Sequence, residues 1–231
     1  MKKNIFFLFC FFCIGFANAQ FSGIGVKAGY TSYKFNDEIS AKSTGGFHVG
    51  AFANYGFDFS EHFFAQGGLL FTKKGSKLEK VSPGSYEGND FDYFDNYNIR
   101  AWYLDIPIQV GLRHNFSDDM FVYAKLGPSF NIGLFGDTDY ERISEHPNTM
   151  VFPSKPLETT KTFNDYLTRF DISAQISIGA SFKNFLVEVS YDHGFIPVMK
   201  NKDTEPKATN GCFMVSFGFM LPLNEGIGGS F

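Results

Sequence analysis

Residues Phe170-Asp171-Ile172-Ser173-Ala174-Gln175-Ile176-Ser177-Ile178-Gly179-Ala180-Ser181-Phe182 alternate without a break. Phe170, Ile172, Ala174, Ile176, Ile178, Ala180 and Phe182 fall on one side, and Asp171, Ser173, Gln175, Ser177, Gly179 and Ser181 on the other. Successive side chains of a β-strand face opposite sides of its sheet, so this is a strand with one apolar and one polar face. The polar face is built from small, mostly uncharged residues. A strand face in open water usually carries Lys, Glu or Thr, whereas small polar residues suit a crowded, hydrated interior. The reading is an inside-out barrel whose apolar face meets lipid.

Seven further segments read the same way: Ile24–Phe35, Gly45–Phe59, Phe63–Lys74, Ile99–Phe116, Met120–Phe135, Phe185–Phe195 and Gly211–Leu221, with the opening strand taken as Thr168–Phe182. In Gly211–Leu221, Phe213, Val215, Phe217, Phe219 and Leu221 alternate with Cys212, Met214, Ser216, Gly218 and Met220. Each segment covers the ~9–11 residues a tilted transmembrane strand needs. Connections alternate in length. Tight turns stand at Ser60-Glu61-His62, Ser117-Asp118-Asp119 and Lys183-Asn184, while the longest polar stretches are Gly75–Asn98 and Gly136–Leu167. Aromatic residues flank each tight turn, where a membrane interface favours them. Short periplasmic turns and long external loops are the pattern of outer-membrane barrels, which predicts an all-β, eight-stranded antiparallel up-and-down transmembrane barrel in the cell outer membrane. A soluble lipocalin-like barrel is the alternative at the level of fold. Pro107 and Pro128 interrupt two segments, so they are expected at bulges or where a ladder bond is already missing.

The N-terminus supports export. Lys2 and Lys3 precede an apolar run from Ile5 to Phe16 and then Ala17-Asn18-Ala19. A basic region, a short apolar run and an A-x-A site predict a signal peptide over residues 1–19, with the barrel domain over 20–231. Without Lys2 and Lys3, 18 basic residues stand against 24 acidic, a net charge of −6, which gives no footing for nucleic acid. One cysteine, Cys212, remains, so no internal disulfide framework is available. No later apolar run is long enough for a spanning helix, so any span is made of strands. The few residues after the last strand predict no periplasmic peptidoglycan-binding domain.

Gly25-Val26-Lys27-Ala28-Gly29-Tyr30, Tyr103-Leu104-Asp105-Ile106-Pro107-Ile108 and Tyr123-Ala124-Lys125-Leu126-Gly127-Pro128, behind the Ala19-Gln20 junction, carry a resemblance. Together they resemble the outer-membrane β-barrel "porin family", or PorT-like, proteins of Gram-negative bacteria, which also have prolines at these two points. The resemblance covers essentially the whole mature chain. It implies the fold, and through PorT a link to protein secretion, but no activity. One departure is that Pro222 ends the last strand and nine residues follow. Either Phe217 and Phe219 or the terminal Phe231 would then serve as the signal read by the barrel assembly machinery.

With the apolar face outward, Lys27, Asp105, Arg113, Lys125, Asp171, Glu188 and Asp192 point to the lumen. Both signs are present, and an eight-stranded interior has room for little beyond its own side chains, so mutual pairing into a plug is expected. The competing reading is an ion or proton path. The stretch Asn89-Asp90-Phe91-Asp92-Tyr93-Phe94-Asp95-Asn96-Tyr97 alternates acidic and aromatic residues. It reads as continued β-structure, with a glycan or partner-protein platform as the alternative; it lacks the glycine and final glutamate of a calcium loop. His48, His62, His114, His146 and His193 have no zinc spacing. Cys212 reads as a small luminal filler.

No nucleophile, nucleotide or cofactor motif is present, so no catalytic, cofactor-binding or metal residue is assigned and no cofactor is expected. The expectation is a non-enzymatic structural, binding or envelope-complex component, surrounded by outer-membrane lipid and acting through its external loops on an envelope protein or glycan. The alternatives are a lipid- or peptide-modifying enzyme, for instance through His193 with Asp192 and a loop serine, or a narrow channel.

Overall fold

The structure is a computed structural model that describes residues 21–36, 41–57, 60–86, 89–144, 155–199 and 208–223. The expected signal peptide, His146 and Phe231 lie outside these residues. Among the described residues nine antiparallel strands follow one another: β1 Phe21–Asn36, β2 Ala41–Phe57, β3 Ser60–Tyr86, β4 Asn89–Ser117, β5 Met120–Ser144, β6 Lys155–Lys161, β7 Phe170–Phe182, β8 Phe185–Gly194 and β9 Thr209–Pro222. A single helical turn, α1, spans Thr162–Asp165. Each strand pairs with its neighbours in chain order except around β6. The pairing β5–β7 bypasses β6, and β1–β9 joins the two ends. The sheet therefore closes on itself.

The strand count corrects the expectation of eight. Eight strands make up the ring, and β6 adds to β5 alone through pairs such as Thr138↔Thr160 and Asp137↔Lys161. It arises within Gly136–Leu167, expected as a loop. Gly75–Asn98, expected as a long connection with continued β-structure at Asn89–Tyr97, extends the β3–β4 ladder through Val81↔Phe94 to Tyr86↔Asn89, so that continuation is present and Gly75–Tyr86 is strand as well. The result is strands of 27, 29 and 25 residues for β3, β4 and β5, far beyond the ~9–11 a membrane requires. The upper part of β3 to β6 is thus a four-stranded sheet standing beyond the ring. Sequence alternation is weaker there because neither face meets lipid.

Both prolines sit in gaps of the ladder rather than in bulges. The β3–β4 register runs unshifted from Gly67↔Ile108 to Leu70↔Asp105, skipping the two pairs that include Pro107 and its neighbour Ile106. The β4–β5 register skips likewise between Pro107↔Ser129 and Val110↔Leu126, where Pro128 lies. Proline lacks the N–H that a central ladder position needs, so two openings absorb both residues.

Along the ring the alternation holds as read. Val26, Leu69, Val110, Leu126, Ile176, Ile178 and Phe217 are exposed outside, while Lys27, Asp105, Lys125, Ser173, Gln175, Ser177 and Glu188 are buried inside. Above the ring the polarity inverts. Tyr33, Phe35, Leu78, Ile99, Ala101 and Tyr103 face inward as an apolar core with Phe163, Leu167, Val198 and Ala208, and Lys77, Glu79, Asn96 and Asn98 take the outer face. An outer surface in lipid must be apolar, and one in water need not be. At the opposite end, β7 and β8 join through Lys183-Asn184, with Lys183 in the left-handed region at φ 53°. That twist suits a two-residue hairpin.

Ile176 is 55% exposed on the outer face and Ser177 1% exposed inside. Ile176→Lys should cost about 2–4 kcal/mol when the protein is unfolded by urea from lipid vesicles. Ser177→Ala, losing hydrogen bonds but no lipid contact, should cost about 1 kcal/mol in the same titration. Equal costs would mean that the outer face is not lipid-facing.

Candidate functional site

Two polar clusters fill the interior. The one nearer the turn end centres on Glu188 of β8, which alternation points inward between Val187 and Val189. Lys27 Nζ of β1 donates to Glu188 Oε1 at 2.7 Å, and Lys125 Nζ of β5 reaches Oε2 at 2.6 Å. The Tyr123 hydroxyl donates to Oε2 at 2.9 Å and Ser190 to Oε1 at 3.1 Å. Lys125 also donates to the Gln66 carbonyl oxygen, whose amide donates to Asn54 Oδ1 at 2.7 Å. His48 Nε2 lies 2.8 Å from Ser216 Oγ, and Gln109, Ser177 and Ser190 continue the network across the ring. One carboxylate with both oxygens occupied holds two ammonium groups, the arrangement that makes buried charge tolerable.

The second cluster lies four residues further along β8. Lys74 Nζ of β3 donates to Asp105 Oδ1 of β4 at 2.9 Å, lies 3.7 Å from Asp192 Oδ2, and stands 5.0 Å over the Tyr103 ring. Asp171 accepts from the Asn210 amide at 2.6 Å, and Tyr33 donates to Asn210. Cys212 is buried beside this cluster as a free thiol, as expected of a filler. Above it the apolar core closes the interior. α1 and the bridge Leu167↔Met199 fold over the ring, with the Phe163 ring lying where a Cβ on Gly133 would be 2.2 Å away. At the turn end a recess of about 50 Å³ among Ser22, Asn54, Gln66, Arg113 and Tyr123 has room for a few waters at most.

Six of the seven expected luminal charges are therefore buried in two networks, and Arg113 lines the recess at the mouth. Lys74 and His48 were not anticipated. Lys73 and Lys74 adjoin, so one must point out and the other in, and only the register decides which. The suggested pairing of His193 with Asp192 is not assembled. His193 is exposed on the outer face between Tyr191 and Phe195, and Asp192 is buried inside. His62 and His114 are exposed near the turn end, as expected.

Beyond the ring, Asp95 is the anchor of the standing sheet. Arg142 donates from Nε to Oδ1 at 2.6 Å and from Nη2 to Oδ2 at 2.9 Å, and the Tyr140 hydroxyl adds a bond of 2.9 Å. Burial, then the Asp95 hydrogen bond, pushes the Tyr140 phenol up to about 12, so it remains a donor at neutral pH. Asp92 and Asp95 fall on opposite faces of β4, so the acidic stretch does not converge on a cation as a calcium loop would.

The family described as "Outer membrane protein beta-barrel domain" matches residues 16–200. The chain belongs to this family. It is an outer-membrane β-barrel protein, and the closed sheet is its barrel. No curated protein matches it. Among solved structures, the attachment invasion locus protein Ail of Yersinia pestis, in complex with the heparin analogue sucrose octasulfate, is similar at 14% identity and TM-score 0.39. That alignment covers 87% of this chain and 99% of Ail. Neisserial surface protein A is similar at 10% identity and TM-score 0.42, covering 85% and 96%. The outer membrane protease OmpT of Escherichia coli is similar at 10% and 0.35, covering 89% and 98%. At these scores the likenesses carry no argument about activity.

Glu188 is the test of the barrel's interior. Glu188→Ala leaves Lys27 and Lys125 buried without a counter-charge and should cost about 3–5 kcal/mol in urea unfolding from vesicles. A loss under about 1 kcal/mol would show that water, not the carboxylate, compensates the two lysines.

Proposed function

We propose that this barrel is a non-enzymatic scaffold that holds the standing sheet of β3 to β6 outside the cell for contact with an envelope protein. It acts there as a component of an envelope complex, in the manner that the PorT-like resemblance implies for a secretion accessory. The turn end is taken as periplasmic, as in other outer-membrane barrels. A filled interior leaves the outer surfaces as the place for recognition.

One observation carries the reading. Val81, Phe94 and Ile143 oppose each other directly in the register of β3, β4 and β5, on the outer face of the standing sheet. They are 54%, 43% and 42% exposed. Val81 stands ten residues beyond Phe71, roughly 33 Å along the strand, so lipid cannot be what covers this row. Apolar residues aligned across three rigid strands in water suit a protein contact better than a solvated face. Exposed Leu157 on β6 enlarges the apolar surface, and Asp92 and Glu141 give it an acidic surround. A glycan platform is the second occupant compatible with the aromatic and acidic residues.

The test is in-cell photocrosslinking from position 94, compared with a probe at a periplasmic turn such as Asp118. A specific protein adduct from position 94, abolished by Val81→Asp, is the expected result. Adducts formed only from the turn would move the working surface to the periplasmic side.

A further inference from the structure

At the loop end of the membrane band, the outer walls of β2 to β5 carry four interlocked rings. Phe71 stacks on Trp102 at 4.6 Å, and Phe47 meets Trp102 edge-on at 5.1 Å. Phe135 lies 6.1 Å from both Phe71 and Trp102. These rings end the apolar band. From Phe63 to Phe71 on β3, and from Leu112 back to Trp102 on β4, the outward positions are free of charge. The spans, nine and eleven residues, match one membrane crossing.

On β3 and β4 the next outward residues are basic, whereas on β5 Asp137 follows Phe135, opposite Arg100 and 3.6 Å from Lys161. Lys73 follows Phe71 on β3, and Arg100 follows Trp102 on β4. Beyond Lys73 the outward positions are Gly75 and Lys77, with Arg100 directly opposite Gly75 and Lys42 of β2 opposite Lys77. Gly75 is buried and adds no side chain, so the four cationic side chains surround a position that carries none. Two of them are partly neutralised, Arg100 by Asp139 at 2.8 Å and Lys42 by Glu79 at 2.5 Å. Among the described residues Lys73 and Lys77 form no ion pair. The wall is thus an aromatic shelf at the membrane boundary with surplus positive charge immediately above it, and a headgroup in the outer leaflet meets both at once.

We propose that this wall binds a phosphorylated glycolipid of the outer leaflet, with its sugar on the Phe47–Phe71–Trp102–Phe135 shelf and a phosphate between Lys73, Lys77 and Arg100. The lysines supply the charge and Arg100 a planar donor fork for phosphate oxygens. The rings set the depth, since aromatic side chains favour the interface. The site would clamp β2 to β5 at the height where the standing sheet leaves the membrane. It rests on the loop end being outermost, but the binding itself does not need that orientation and is measured in micelles.

Trp102 is the chain's single tryptophan, so its fluorescence reports the shelf directly. The full-length mature protein, folded in detergent micelles, is titrated with bis-phosphorylated lipid A, with dephosphorylated lipid A and with phosphatidylcholine. The expected result is a saturable Trp102 emission shift with the phosphorylated form alone. Lys73→Gln combined with Lys77→Gln should weaken it by on the order of tenfold. Unchanged heat-modifiable migration shows that this variant is folded, and Arg100→Gln gives a second, independent loss. Equal responses to phosphorylated and dephosphorylated lipid A, or equal responses of wild type and variant, overturn the proposal. So does full competition by a soluble sulfated polysaccharide, which would make a free polyanion the occupant. Adducts at position 94 bear on the standing sheet alone, so either reading can fail without the other.

Discussion

Closure of the sheet is the constraint on which the rest depends. β1 and β9 pair from Gly23↔Pro222 to Asn36↔Thr209, along the whole length of β1 that the membrane band covers. Hydrocarbon offers no partner to a backbone N–H or C=O, and each one left unmet costs several kcal/mol. An open edge is therefore excluded at that depth. Joining first strand to last removes it, and the proline gaps at Pro107 and Pro128 are tolerable because each omits only two adjacent pairs and the ladder keeps its register on either side.

A closed ring of eight strands encloses so little space that the interior is defined by its own side chains. That explains the economy of Glu188, one carboxylate serving Lys27, Lys125, Tyr123 and Ser190. It also explains the apolar cap, where Tyr33, Phe35 and Phe163 exclude water from above. The chain carries two opposite burial rules. In the membrane band the polar residues are inside; beyond it Leu78 and Ile99 are inside, and Lys77 and Asn98 are outside. The switch falls at Phe71, Trp102 and Phe135, where the solvent changes.

The function proposed for such a frame lies on its outer surface. In the proposed reading the aromatic shelf with its basic rim meets a lipid boundary, and the Val81–Phe94–Ile143 row, well above it, meets a partner in water. They lie on the same strands, with Asp95 and Arg142 bracing the sheet between ring and row. A partner at the row would be held at a set height and direction relative to the membrane, because continuous β-ladders connect the two.

The sequence by itself determined the ring strands, their inward and outward faces, the outer-membrane setting and six of the buried charges. Alternation is a local property, and lipid on one side makes it unambiguous, as in Ile172–Phe182. It pointed to continued β-structure at Asn89–Tyr97 but did not reveal the strand from Gly75 to Tyr86 or those within Gly136–Leu167, because in water both faces tolerate mixed residues and the pattern blurs. Nor could it separate Lys73 from Lys74, two like neighbours of which one lies on the outer wall and one is buried against Asp105. Those outcomes belong to tertiary structure alone. Lys27 and Glu188 are 161 residues apart in the chain, and only cross-strand register in a closed sheet brings such groups within hydrogen-bond reach.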